Sequence, residues 1–236
     1  MTSTITTPPA VAAAVPADEA AASAGTRRLL VRLGGGALVA GPLLFLGGAV
    51  TSPSQETDDA AGYVASLARD PLLTEMSALL FHYGNLLLGV GALLLPLLVR
   101  GRRGRLATLT GTLLMVLGFL NVSGAVLSDW WIMEVGRTLP PEQAVALSER
   151  VLDAPWLQAW SGVQDLALLG VVVALAGLAR AGVLSWWIVP VPLVCLAGAF
   201  VIPLSMPLVV SAVVGLAFAP LAVLGVRAFR RAALIG

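Results

Sequence analysis

Two carboxylic acids stand inside long apolar stretches of this 236-residue chain, Glu75 in one stretch and Asp165 in another. A charged side chain in hydrocarbon costs on the order of 2.5–3.5 kcal/mol by insertion scales, so each acid requires a partner or a function. Two carboxyl groups in different environments can divide the roles of general acid and general base. Glu75 and Asp165 are therefore the candidate catalytic residues, and the chemistry they favour is acid–base catalysis on a lipid or an isoprenoid.

Four further polar side chains lie in the apolar stretches: His82, Asn85, Asn121 and Gln164. Asn85, Asn121 and Asp165 are each 15 or 16 residues from the arginine at the end of their stretch, which corresponds to roughly 22–24 Å of helix. We expect these three residues in one polar layer, with His82 slightly nearer the outer surface. This layer, between the second, third and fourth stretches and including Gln164, is the candidate ligand-binding site.

The same residues also have a purely structural interpretation. Asparagine, glutamine and serine side chains commonly hydrogen-bond one membrane helix to another. On this interpretation His82 is hydrogen-bonded to a neighbouring helix, and Glu75 faces headgroups and water. The sequence leaves both interpretations open.

The composition indicates which solvent the fold requires. Hydrophobic residues make up 58% of the chain and charged residues 11%, whereas about a quarter of a soluble domain is charged. So few charges cannot cover a water-soluble globule, and we expect an all-α transmembrane bundle. All 14 basic residues are arginine, which is typical of a high-GC bacterial genome. The net charge of +1 gives no general attraction to nucleic acid.

The residue types give no support for a metal or a cofactor. The chain has one histidine and one cysteine, Cys195, and it contains no CxxC or HExxH pattern. Its glycine pairs follow no strand and precede no lysine, so they indicate close helix packing rather than a phosphate-binding loop. We therefore expect neither a metal ion nor a cofactor.

Six apolar runs of about 20 residues are long enough to cross roughly 30 Å of hydrocarbon as helices. They lie near 33–51, 72–99, 106–127, 156–179, 183–204 and 207–226. Residues 27–231 thus form the predicted six-helix transmembrane domain. Residues 1–26 are rich in Ala, Thr, Ser and Pro and are predicted to be a disordered tail, and residues 232–236 form a short C-terminal tail.

The distribution of arginine predicts the orientation. Eleven arginines fall in segments that face one side and three fall on the other, so the positive-inside rule places both termini in the cytoplasm, with the chain in a bacterial plasma membrane. The outer loops 52–71 and 128–155 hold nine of the 13 acids. Each loop contains an amphipathic stretch and re-enters the membrane at a proline, which indicates a tandem repeat of a helical hairpin.

Several short motifs carry a family resemblance. Gly41–Leu44 reads Gly-Pro-Leu-Leu, Gly47–Ala49 reads Gly-Gly-Ala, and the inner turn Arg100–Arg105 reads Arg-Gly-Arg-Arg-Gly-Arg. With a basic start and two acidic outer loops, these features resemble an uncharacterised (domain-of-unknown-function) family of small six-helix integral membrane proteins of high-GC bacteria. The resemblance covers about residues 28–230. It implies a fold and a membrane location, and it carries no catalytic residues.

Three functions fit such a chain. The first is binding or transport of a small apolar or cationic ligand at the polar layer, in which case a full transport path needs a homo-oligomer or a partner subunit. The second is an accessory or structural subunit that docks a partner through the acidic outer loops. The third is an intramembrane acid–base enzyme that uses Glu75 and Asp165.

Overall fold

The computed structural model describes residues 17–199, 201–203 and 206–234, and every regular element in this part of the chain is helical. The helices are α1 (Ala17–Thr51), α2 (Ala60–Arg69), α3 (Pro71–Ala92), α4 (Leu95–Leu98), α5 (Arg105–Ala125), α6 (Ser128–Thr138), α7 (Pro141–Leu152), α8 (Pro155–Ser161), α9 (Leu166–Arg180), α10 (Pro190–Ala199) and α11 (Pro207–Leu234). A 3-10 turn, Trp186–Ile188, precedes α10. Most of the predicted N-terminal tail and the last two residues lie outside the described ranges.

Five helical stretches are long and apolar enough to cross a membrane. They are Gly25–Thr51, Pro71–Leu98, Arg105–Thr138, Pro155–Arg180 and Val209–Arg230. These stretches correspond to five of the six predicted runs and are compatible with a multi-pass membrane protein. The fifth predicted run, 183–204, contains the shorter apolar helix Trp186–Gly198, which is roughly 20 Å long at 1.5 Å per residue. Part of this run lies outside the described residues.

The long helices are arranged in a ring around one apolar core. In this ring α1 packs against α3 and α11, α3 against α5, α5 against α9, and α10 against both α9 and α11. Consecutive members of α11, α1, α3, α5 and α9 run antiparallel, as their paired contacts show. The core receives a fully buried side chain from each of these five helices: Leu38, Leu88, Phe119, Leu175 and Leu221.

Antiparallel packing gives the bundle two chemically different ends. The arginine-rich end carries Arg27, Arg28, Arg32, Arg100, Arg102, Arg103, Arg105, Arg180, Arg227 and Arg230. The capped end carries α2, α6 and α7, which pack on one another around a second apolar core of Val64, Leu67, Ile132, Met133, Val135 and Ala144. The amphipathic stretches predicted in the two acidic loops are the helices α2 and α7. Both lie at this end.

Glycine determines how closely α5 and α9 approach. Gly111 and Gly118 on α5 face the backbone of α9, and Gly170 and Gly177 on α9 face the backbone of α5. A Cβ on Gly118 would overlap the backbone nitrogen of Ala167. Small residues spaced in this way allow membrane helices to pack backbone against backbone.

Two of the predicted spans are interrupted. The second, 72–99, ends its long helix at Ala92, since Pro96 lacks an N–H and its ring would clash with the Ala92 carbonyl in a continuous helix. The fourth, 156–179, consists of α8 and α9 with the turn Gly162–Asp165 between them. In this turn the Gln164 N–H donates to the Ser161 carbonyl three residues back (2.9 Å) rather than four, which tightens the chain locally.

Candidate functional site

His82 joins α3 to α5. Its Nδ1 lies 2.8 Å from the backbone oxygen of Ser123 and 2.9 Å from the Ser123 hydroxyl. The hydroxyl in turn lies 3.2 Å from the His82 carbonyl, to which it can donate. His82 therefore forms the interhelical hydrogen bond that the structural interpretation of the sequence expected, and it is partly buried.

The two asparagines of the predicted polar layer make their hydrogen bonds within their own helices. The Asn85 amide donates to the Phe81 carbonyl at 2.8 Å, and the Asn121 amide donates to the Leu117 carbonyl at 2.7 Å. Asn85 is buried, and its side-chain oxygen has no hydrogen-bond partner within the part of the chain that the structure describes. Neither amide side chain bridges two helices among the described residues.

The two acidic residues of the predicted site lie on the surface of the chain. Glu75 is exposed on α3, and Asp165 is exposed in the turn before α9. α5 packs between α3 and α9, so the two candidate catalytic carboxyl groups belong to helices on opposite sides of it. Within the described ranges, no hydrogen bond or ion pair involves the side chain of Glu75, Gln164 or Asp165.

A cavity of about 310 Å³ opens at the capped end, and sequence reasoning did not find it. The ends of α1, α3 and α11 form its walls, and α2 and α6 contribute from above. Its neutral polar lining residues are Ser52, Gln55, Ser66, Ser77 and Ser211. We refer to it as the capped-end cavity.

A tyrosine–aspartate pair lines the capped-end cavity. The Tyr63 hydroxyl on α2 donates to Asp129 Oδ1 at the start of α6, over 2.5 Å. Burial raises the pKa of the Tyr63 phenol well above its usual range, and the nearby Asp129 carboxylate raises it further. The phenol therefore stays protonated at neutral pH and donates to the carboxyl group.

Sequence reasoning missed this pair because Tyr63 and Asp129 are 66 residues apart and lie in two different loops. One signal was available. Tyr63 lies on the amphipathic stretch 60–69, and Asp129 directly precedes Trp130 and Trp131 at the predicted end of the third span. An acid beside interfacial tryptophans, with a tyrosine in the adjoining loop, is a candidate for a partly buried hydrogen bond.

Comparison with known proteins gives no relative from which a function could be transferred. The chain matches no family model, no curated protein and no solved structure. Within the described residues there is also no group of three or more His, Cys, Asp or Glu side chains that could hold a metal ion. The chemistry of the capped-end cavity must therefore be derived from its own residues.

Proposed function

We propose that the chain is a multi-pass protein of the bacterial plasma membrane, with six spans and both termini in the cytoplasm, and that it binds a small ligand in the capped-end cavity. Five long apolar helices support the membrane location, and the ring position of α10 supports a sixth span. The collection of arginines at one end of the bundle supports the orientation, since basic residues favour the cytoplasmic side. The same features support membership of the six-helix family that the sequence resembles.

The capped-end cavity is the observation that carries the binding proposal. Its volume of about 310 Å³ lies in the range of small-molecule sites, roughly 300–1,000 Å³. Its lining combines apolar groups such as Leu67, Phe81 and Val210 with several hydroxyl groups and one acid, which is the composition of a site that orients a ligand. In the proposed orientation it faces the outside of the cell.

This location differs from the polar layer that the sequence favoured. Neither Glu75 nor Asp165 lines the capped-end cavity, and His82 and Asn85 make hydrogen bonds of a structural kind. The ligand-binding hypothesis is therefore retained, but its residues move to α1, α2, α3, α6 and α11. Acid–base catalysis by Glu75 and Asp165 has no comparable geometric support.

Native mass spectrometry of the protein in lipid nanodiscs tests the binding proposal. Ala49 lines the cavity, whereas its neighbour Val50 is half exposed and does not. Ala49→Phe should fill part of the cavity, and Val50→Phe is the matched control that adds the same side chain one position away. We expect a defined small-molecule adduct on the wild type and on Val50→Phe that is absent from Ala49→Phe.

The experiment contradicts the proposal if all three proteins carry the same bulk lipid and no further molecule. Unchanged secondary structure and unfolding temperature of Ala49→Phe show that loss of the adduct reflects the filled cavity. An adduct that survives Ala49→Phe at wild-type level would place the ligand elsewhere on the chain.

A second candidate function, an accessory subunit, is favoured by the exposure of Asp165. This places the docking surface at the helix break before α9 and not at the acidic outer loops, where the sequence predicted it. This acid lies in a helix break within the apolar stretch Pro155–Arg180, and irregular backbone at membrane depth is tolerated where protein or water covers it. A partner helix over the break would satisfy both the backbone and the acid. Asp165→Leu should then weaken assembly in native mass spectra, whereas Asp153→Asn at the capped end should not. Equal assembly in both variants would argue against this candidate.

A further inference from the structure

We propose that the ligand of the capped-end cavity is a small organic amine in its protonated form, held by the carboxylate of Asp129. This inference rests on the proposed function and adds the chemical class of the ligand. Three properties of the cavity carry it: the sign of its charge, the hydrogen-bonding state of its polar groups, and its apolar walls.

Among the described residues, the capped-end cavity is lined by a single charged residue. Asp129 is the one acid of this lining, and the described lining contains no arginine. The basic residues of α2 and α6 pair elsewhere, since Arg69 pairs with Glu56 at 2.7 Å and Arg137 pairs with Glu134 at 2.8 Å, both on the exposed surface. An anionic ligand would meet an uncompensated carboxylate here, whereas a monocation would neutralise it.

The carboxylate of Asp129 has room for one more partner. Its Oδ1 accepts the hydrogen bond from Tyr63, and among the described residues the carboxylate makes no other hydrogen bond and no ion pair. A partly buried carboxylate with a single neutral donor is incompletely compensated for the water it has lost. A cation in the cavity would supply the missing compensation.

Three serine hydroxyls of the lining have already used their donors. The hydroxyls of Ser52, Ser66 and Ser77 each donate to a carbonyl of the preceding helical turn, at 3.0, 2.8 and 3.1 Å. The Gln55 amide donates one of its two N–H groups to the Asp59 carbonyl at 3.1 Å. These three hydroxyls therefore retain only acceptor capacity on their oxygens, and Gln55 retains an acceptor and one donor. A ligand that donates hydrogen bonds fits such a lining, and a ligand rich in acceptors does not.

The walls and the volume favour an organic cation over a bare metal ion. Leu67, Phe81 and Val210 are apolar, and a hard metal cation requires about six oxygen ligands in close contact. The rings of Phe81 and Tyr63 line the same space and can attract an ammonium group through their faces. An ammonium group on a small apolar body therefore matches the carboxylate, the acceptor oxygens and the apolar walls of the cavity. An alkylamine supplies this group, because it is protonated at neutral pH as the lysine side chain is.

Calorimetric titration of the purified protein in dodecyl maltoside tests the inference with three probes of similar shape. Benzylammonium has charge and N–H donors, benzyltrimethylammonium has charge alone, and benzyl alcohol is neutral. We expect benzylammonium to bind the wild type at least about tenfold more tightly than benzyl alcohol, a difference of roughly 1.4 kcal/mol. Benzyltrimethylammonium should lie between them, and sodium chloride at equal concentration should give no comparable heat.

Asp129→Asn is the decisive variant, because the amide oxygen can still accept from Tyr63 while the charge is removed. Benzylammonium should lose at least about tenfold in affinity on this variant, and benzyl alcohol should change by less than about twofold. Tyr63→Phe keeps the carboxylate and should keep the preference for the cation. If Asp129→Asn does not fold, the ranking of the probes on the wild type decides the question alone.

The possible failures are distinguishable. Equal binding of benzylammonium and benzyl alcohol, unaffected by Asp129→Asn, overturns the amine inference while leaving a ligand site in place. If sodium ions at equal concentration compete with benzylammonium, the cavity binds an inorganic cation and the amine inference is wrong. No binding of any probe also overturns the amine inference, and the Ala49→Phe comparison by native mass spectrometry then decides separately whether the cavity holds any ligand.

Discussion

The hydroxyl of Tyr63 donates a 2.5 Å hydrogen bond to the carboxylate of Asp129, and this bond joins α2 to α6, 66 residues apart in sequence, beside the apolar core that the two helices share. It lies between the second apolar core at the capped end and the capped-end cavity. The pair therefore has two consequences that can be separated experimentally. One concerns how firmly the capped end is held together, and the other concerns how Tyr63 titrates.

The titration of Tyr63 can be observed directly, because the chain has only two tyrosines and Tyr83→Phe removes the other. Burial and the neighbouring carboxylate both raise the pKa of Tyr63, so its tyrosinate absorbance should appear with a midpoint above the usual value of 10.0. Adding Asp129→Asn removes the negative charge and should lower the midpoint, while burial keeps it above 10.0. Absorbance near 295 nm during a pH titration measures the midpoint in each of the two proteins.

A matched control for this titration is Glu142→Gln, which neutralises an exposed acid of α7. It should leave the midpoint of Tyr63 where it was. An unchanged midpoint in Asp129→Asn would contradict the electrostatic account of the pair.

Removing the Tyr63 hydroxyl should loosen the capped end and leave the ring intact. Tyr63→Phe deprives a partly buried carboxylate of its hydrogen-bond donor, which costs about 1–3 kcal/mol for a charged acceptor. Hydrogen–deuterium exchange should therefore rise in α2 and α6, with α5 and α9 unchanged. A uniform rise in all four helices would mean that the pair supports the whole fold rather than the capped end.

Glycine at the α5–α9 contact should be irreplaceable even by alanine. A Cβ on Gly118 would overlap the Ala167 backbone, and backbone cannot move aside as a flexible side chain can. Gly118→Ala should lower the free energy of unfolding by roughly 1–3 kcal/mol, as overpacking does. Gly36→Ala is the matched control, since a Cβ there meets nothing within 4 Å and alanine favours the helix. Thermal unfolding in detergent measures both, and equal unfolding temperatures would contradict the packing argument.

The sequence predicts features that depend on local composition, and it does not predict contacts that depend on how distant segments pack. Hydropathy locates the five helical stretches that are long and apolar enough to cross a membrane, because a helix in lipid must be apolar along its length. Proline at the first position marks α7, a local signal that needs no tertiary knowledge. Neither hydropathy nor a helix-start signal predicts the Tyr63–Asp129 bond, since this bond depends on how two separate loops pack.

The predicted polar layer depends on the direction of its side chains. Equal distances from the arginines predict similar depth along each helix, but depth says nothing about the direction of a side chain. Asn85 and Asn121 satisfy their amide hydrogens on their own backbone four residues earlier, which competes with bonds between helices. The glycine spacing of seven on α5 and on α9 is a signal that the sequence did contain, and it indicates a helix pair that packs backbone against backbone.

The orientation of the bundle is the prediction on which the accessibility of the capped-end cavity depends. Because the native sequence has one cysteine, Cys195→Ala gives a background in which a single introduced cysteine reports one position. Glu142 at the capped end and Arg103 at the arginine-rich end are both exposed and suit this purpose. A membrane-impermeant maleimide should label Glu142→Cys in intact spheroplasts and Arg103→Cys only after lysis. The reverse pattern would turn the cavity towards the cytoplasm, and an amine reaching it would then have to come from inside the cell.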